Sequence, residues 1–188
     1  PTFGVRYRHL IVSVPQQIIH QRPSQQRETT MHCRIADTEE DPFNSPKGDF
    51  GAVFREMFTV EKTKCPFDLE HVTMPPGKKN FPFHSHGALW EMYYVISGSA
   101  KMRTDEETVE LNAGDGYLCR PGLAHQIIND TEQDFVYLVI SNDPPYDACY
   151  YPDSGKLLPR GQKLWDPMPE KNVFWQPNEP ATYFTGEE

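Results

Sequence analysis

Between residues 50 and 145 the chain is cut into short β-type runs, and this constrains its fold more than any other feature. GAVFREMFTV, DLEHVTM, FPFHSH, EMYYVIS, AKMRT, TVEL, GYLCR, HQIIN and DFVYLVIS follow one another, separated by turn sequences such as PPG, SG, TDEE, NAGDG and RPG. β-branched and aromatic residues fill the runs while Gly, Pro, Asn and Asp sit between them, the pattern of antiparallel strands joined by tight turns rather than of βαβ units. No segment carries the apolar spacing of a three-turn helix. The predicted class is all-β, an antiparallel double-stranded β-helix or jelly-roll barrel, for which about eight or nine strands suffice.

The 188 residues predict one domain with arms, since nothing repeats at a solenoid period. Residues 1–30 hold one acid, Glu28, against four arginines, whereas the rest holds 26 acids against 14 basic residues. That shift marks a boundary near residue 30 inside an N-terminal arm or extension, residues 1–49, that precedes the β-type runs. Within it Leu10 to Val14 could pair as a strand with a sheet edge or a second subunit, or the segment is an extension ahead of a natural start at Met31. The barrel is expected over residues 50–145. Residues 146–188 form a Pro- and aromatic-rich C-terminal extension, whose Trp165, Phe174, Trp175, Tyr183 and Phe184 predict packing on the barrel or a partner.

A net charge of −9 without a concentrated basic surface argues against nucleic acid as a partner. The run Phe135 to Ile140 is a strand's length, far below the roughly 20 apolar residues of a bilayer span. LIVSV, cut by Pro15, is too short for a secretory signal. Cys33, Cys65, Cys119 and Cys149 are widely separated without CxxC spacing, which predicts free thiols and a cytoplasmic protein.

The chemistry concentrates in FPFHSHGALWEMYY, residues 81–94. Side chains alternate across a strand, so His84 and His86 face the same way with Cα atoms about 6.6–6.8 Å apart, close enough for imidazoles to share one ion. Gly87 to Trp90 turn the chain back, and Glu91 can return a carboxylate to the same point. Downstream, GDGYLCRPGLAHQIIN offers a strand, a tight RPG turn and His125 at the head of another strand.

The segments PGKKNFPFHSHGALWEMYYVISG and GDGYLCRPGLAHQIIN resemble the two motifs of the cupin superfamily. Gly77, His84, His86, Glu91 and Gly98 match the first; Gly114 or Gly116, Pro121, Gly122, His125 and Asn129 match the second. Six residues rather than five separate Gly77 from His84, and Pro121 adjoins Gly122 instead of standing one residue away. The likeness spans about residues 50–145 and extends weakly through YYPDSGK, which is similar to the tail of bacterial single-domain cupins. It implies a first shell of His84, His86, Glu91 and His125 around one divalent transition metal per chain, whether Fe, Mn, Ni, Co, Cu or Zn. It also implies pairing of barrels as a homodimer.

Around that shell, Tyr93 and Val95 share the parity of Glu91, and Ile127 and Asn129 that of His125; all four predict interior positions, where packing is the commoner role. Lys101, Arg103 and Arg120 are candidate anion contacts, although charges on strands are ordinarily solvated. The expected function is a metal-dependent enzyme acting on a small polar or anionic metabolite. Phe81, Phe83, Trp90 and Tyr93 as apolar walls favour oxygenase chemistry. The alternatives are a sugar or sugar-phosphate isomerase, in which Arg103 or Arg120 clamps a phosphate, and a non-enzymatic binding or sensor protein.

Overall fold

The computed structural model describes residues 32–142 and 144–161. The expected strand of the arm, Leu10 to Val14, and the aromatic segment after residue 161 lie outside them. After a 3-10 turn at Ile35–Asp37 come the strands β1 (Asp41–Asn44), β2 (Gly51–Phe58), β3 (Asp68–Met74), β4 (Ser85–His86), β5 (Glu91–Ser97), β6 (Ser99–Thr104), β7 (Thr108–Asn112), β8 (Gly116–Cys119), β9 (His125–Ile128), β10 (Phe135–Ser141), β11 (Tyr146–Tyr151) and β12 (Lys156–Gly161). The α-helix among the described residues is one turn, α1 (Val60–Thr63), capped by the Thr59 hydroxyl and closed by Lys64 at φ 59°. The all-β expectation holds.

One sheet has six strands in the order β1-β2-β3-β10-β5-β8; two smaller sheets run β12-β11-β4 and β7-β6-β9. Every pairing among these strands is antiparallel. Pairing thus extends beyond residues 50–145 at both ends, through β1 on β2 and β11 on β4. β10 lies between β3 and β5, with Phe135, Tyr137 and Val139 buried while Val136, Leu138 and Ile140 turn outward. Tyr93 and Val95 of β5, Val72 and Met74 of β3 and Met102 of β6 face the same core.

FPFHSH departs from expectation. Only Ser85 and His86 are in a strand, and His84 makes an isolated bridge to His125. Pro82 lacks an N–H and fixes its φ, so residues 81–83 bend instead of extending the ladder. GAVFREMFTV likewise ends as a strand at Phe58, after a register shift between Glu56 and Phe58.

Candidate metal centre

Three elements carry the predicted ligands to one point. His84 and His125 bridge each other through reciprocal backbone hydrogen bonds of 3.2 and 2.8 Å, His86 sits in β4 and Glu91 opens β5. Nε2 of His84 lies 3.1 Å from Nε2 of His86, and Oε2 of Glu91 lies 2.7 Å from Nε2 of His125 and 3.7 Å from Nε2 of His86. One donor atom from each of the four side chains lies within 4.8 Å of all the others. Atoms about 2.0–2.2 Å from a common ion stand about 2.9 Å apart at right angles and about 4.1 Å apart across it, so the observed spacings fit a single ion.

The outer ring nitrogens decide the chemistry of this cluster. Nδ1 of His84 faces the carbonyl of Pro82 at 2.8 Å, Nδ1 of His125 faces that of Leu123 at 3.1 Å, and Nδ1 of His86 faces the carboxylate of Asp147 at 2.6 Å. Carbonyls and carboxylates only accept, so each Nδ1 carries the hydrogen. A neutral ring then turns a bare Nε2 lone pair inward. Three lone pairs and a carboxylate crowded together repel one another unless positive charge stands among them, as protons or as a cation.

Without a cation, protons take that role. Burial pulls His86 down, but its hydrogen bonds to Asp147 and Cys149 and the charge of Glu91 carry its pKa up to about 9. Burial likewise opposes the charging of His125, and contacts with Cys119 and Glu91 lift it to about 10. Glu91 is buried, yet its bond to His125 and the surrounding imidazoles hold it down at about 2. His84, pushed down by burial and then by His125, falls to about 4. The cluster holds positive charge against a fixed carboxylate, which is the electrostatic demand of a cation site.

A family model described as the cupin domain matches residues 70–141, which contain all four side chains. The chain carries a cupin domain. An uncharacterized protein of Methanocaldococcus jannaschii is 29% identical over 114 residues, covering 60% of this chain and 90% of that one. A sugar phosphate isomerase of the cupin superfamily from Silicibacter pomeroyi superposes with a TM-score of 0.63 at 18% identity, over 81% of this chain and 97% of that chain. A predicted oxalate decarboxylase from Thermotoga maritima superposes with a TM-score of 0.55 at 20% identity, over 60% of this chain and 98% of that chain. At these identities the two superpositions show the fold.

Of the other residues singled out in the cupin sequence, Tyr93 joins the cluster. Its hydroxyl donates to Glu91 Oε2 at 3.0 Å and lies 3.3 Å from His125 Nε2. Burial, then the charge of Glu91, holds its pKa well above the ordinary phenol value, so it stays a donor. Ile127 packs in the core. Asn129 is fully buried, and its amide nitrogen bonds the carbonyls of Met74, Pro75 and Gln133, tying β9's end to the neighbouring loops. Arg103 forks onto Asp153 at 2.8 and 2.9 Å and lies 3.8 Å over the Phe83 ring. Arg120 pairs with Glu106 at 2.6 Å. Phe81 meets His84 edge-on at 6.3 Å, whereas Trp90 stands about half exposed.

Several contributors were not read from the sequence. Asp147 and Cys149 flank Nδ1 of His86 from β11, and Tyr151 stacks on the His84 ring at 5.8 Å. Their common parity in YDACYY was the available signal. Glu70 shares the inward face of β3 with Val72 and Met74, opposite Val139, which pairs in turn with Tyr93. Burial, then Glu56 and Asp68, raises its carboxyl to about 7. The signal in the sequence is an acid at the parity of Val72 and Met74 in DLEHVTM.

Proposed function

We propose that this cupin is a metal-dependent enzyme acting on a small polar or anionic metabolite, with oxidation or cleavage by dioxygen as the favoured reaction. The observation that carries the reading is the convergence of three imidazole Nε2 atoms and one carboxylate while every Nδ1 is held by an acceptor. A divalent ion held by His84, His86, Glu91 and His125 would supply Lewis acidity and, if redox-active, electrons for dioxygen. Three neutral rings and one carboxylate leave a dication a residual charge near +1, which favours an anionic or enolised oxygen from the substrate. Phe81 edge-on and Tyr151 face-on against His84 keep water from that ring, and Phe81 in turn packs on Phe43 and Phe54 at 5.5 Å each. Tyr93 holds a proton beside Glu91. We also infer that the protein acts as a homodimer.

One observation favours isomerisation as the second reading. Glu70, on the inward face of β3 and raised to about 7, is the candidate group to take and return a proton near neutrality, as an aldose–ketose interconversion requires. The fold likeness to a sugar phosphate isomerase is in line with this. Arg103 and Arg120 are already engaged by Asp153 and Glu106, which weighs against either as a phosphate clamp.

Elemental analysis of anaerobically purified protein, followed by oxygen-uptake assays across small hydroxy- and keto-acids and diols, tests the reading. Stoichiometric metal with substrate-dependent uptake is expected. Metal without uptake, together with deuterium exchange from solvent into an aldose or ketose, replaces oxidation by isomerisation. Protein that binds no divalent metal under any loading condition removes both.

A further inference from the structure

The three imidazoles are not held in the same way. His84 and His125 each direct Nδ1 at the carbonyl two residues earlier, Pro82 and Leu123. For His86 that carbonyl belongs to His84, and it accepts the backbone N–H of His125 at 2.8 Å. His86 instead takes a remote partner: Asp147, on β11, outside the residues that match the cupin domain.

Asp147 uses both of its oxygens. Oδ2 accepts Nδ1–H of His86 at 2.6 Å, and Oδ1 accepts the backbone N–H of Ala88 at 2.8 Å. Ala88 belongs to the short connection, residues 87–90, that leads from His86 to Glu91. The same connection is fastened by Gly87 N–H on the carbonyl of Ala148 at 2.9 Å. Cys149 lies opposite His86 in the β11–β4 register, its Sγ 3.4 Å from Nδ1. The Asp147 side chain is 3% exposed, so water does not compete for either oxygen. Turning the His86 ring breaks one of its bonds; shifting the connection toward Glu91 breaks the other.

We propose that Asp147 is a positioning residue of the metal centre, fixing the His86 ring with Nε2 inward and tying the approach to Glu91 to the same carboxylate. The metal affinity of the domain thereby depends in part on a strand that follows it in sequence. This rests on the metal-binding reading above.

Cobalt(II) is the probe, with its visible absorption reporting ligand geometry and a competing chelator reporting affinity. Asp147→Ala is expected to weaken cobalt binding about 10–100-fold and to alter the absorption bands, because the ring is free to turn. Asp147→Asn keeps the size and one acceptor oxygen, so it is expected to fall between the alanine variant and wild type. Should the alanine variant fail to fold, the asparagine variant carries the test. Asp153→Asn, which loosens only the exposed pair with Arg103, is expected to match wild type. A merely structural Asp147 would lower the melting temperature of the metal-free protein while affinity and spectrum stayed those of wild type, and that result overturns the proposal. Wild-type protein that takes up no cobalt overturns the metal reading itself, and the proposal with it.

Discussion

At the scale of single residues, the four donors differ in what their loss removes. His84→Ala or His86→Ala deletes one neutral donor, expected to cost on the order of 3 kcal/mol of metal binding, roughly 100-fold in affinity. Glu91→Gln keeps the volume but removes the anion, so metal binding should weaken comparably while the charge on any remaining complex rises by one. His71 is the control: it lies on β3 with its register partners Arg55 and Leu138, away from the cluster, and His71→Ala should leave metal content unchanged. Metal analysis on the folded variants checks all four, and ligand variants that retain wild-type metal would end the assignment. The protons seated on the cluster give a second prediction. His86 and His125, raised to about 9 and about 10, are charged in the metal-free protein at pH 7 and must lose those protons to bind a cation. Metal affinity should therefore rise with pH, by about tenfold per pH unit for each proton displaced, until the pH passes those values. Calorimetry in buffers of different ionisation enthalpy counts the released protons; uptake without release would contradict the arrangement.

At the scale of elements, β3 carries an acid where its alternation asks for an apolar side chain. The folded-state pKa of Glu70 lies near 7, above its ordinary 4.5, so folding favours the protonated form. Its neutral form costs little below pH 4.5, and the penalty grows as pH rises toward 7 and is complete above it. Glu70→Gln should thus stabilise the protein at pH 8 by on the order of 2 kcal/mol, roughly 4–8 °C in Tm, and have little effect at pH 4.5. Equal melting shifts at the two pH values would show that the site is not desolvated. The turn between β5 and β6 is fixed by a different constraint: Gly98 has φ 79°, and a Cβ there would come within 2.3 Å of the Asp134 carbonyl oxygen. These elements show what the sequence reveals. Strands such as β5, β6 and β10 were legible because short runs of β-type residues are bounded by turn residues, and the fold then buries alternate positions. FPFHSH reads as equally extended, yet Pro82 bends its first half, and His84 is left with a single bridge to His125. In sequence β11 belongs to a Pro-rich tail, with prolines on both sides, and nothing local announces that its Asp147 reaches a histidine 61 residues earlier. The convergence of His84, His86, Glu91 and His125 was legible because they lie at motif spacing; their supports were not, because they depend on which strand becomes whose neighbour.

At the scale of the molecule, the six-stranded sheet turns one face to the core and the other outward, and the outward face is unusually apolar. Met92, Tyr94 and Ile96 of β5 and Leu118 of β8 are each two-fifths or more exposed. Met92 stands opposite Leu118 on one side and Ile140 on the other, and Tyr94 stands opposite Leu138, so the patch is continuous across three strands. Single exposed apolar residues are ordinary on a protein surface, whereas a continuous stripe of them is what a contact with a second copy would cover. These side chains are uncharged, so the repulsion implied by a net charge of −9 is not concentrated where two copies would meet. A homodimer formed back to back on this face is the expected assembly, each β5 lying on its counterpart about a twofold axis. Placing like charges in the middle of that contact, as Tyr94→Lys with Leu118→Lys, would oblige two pairs of lysines to lose water together on association. The double variant is expected to sediment as a monomer at concentrations where wild type sediments as a dimer. Its metal content should not change, because alternation directs residues 92, 94 and 118 away from Glu91 and Tyr93. A wild-type monomer, or a variant that sediments as wild type does, would leave this face without the role assigned to it.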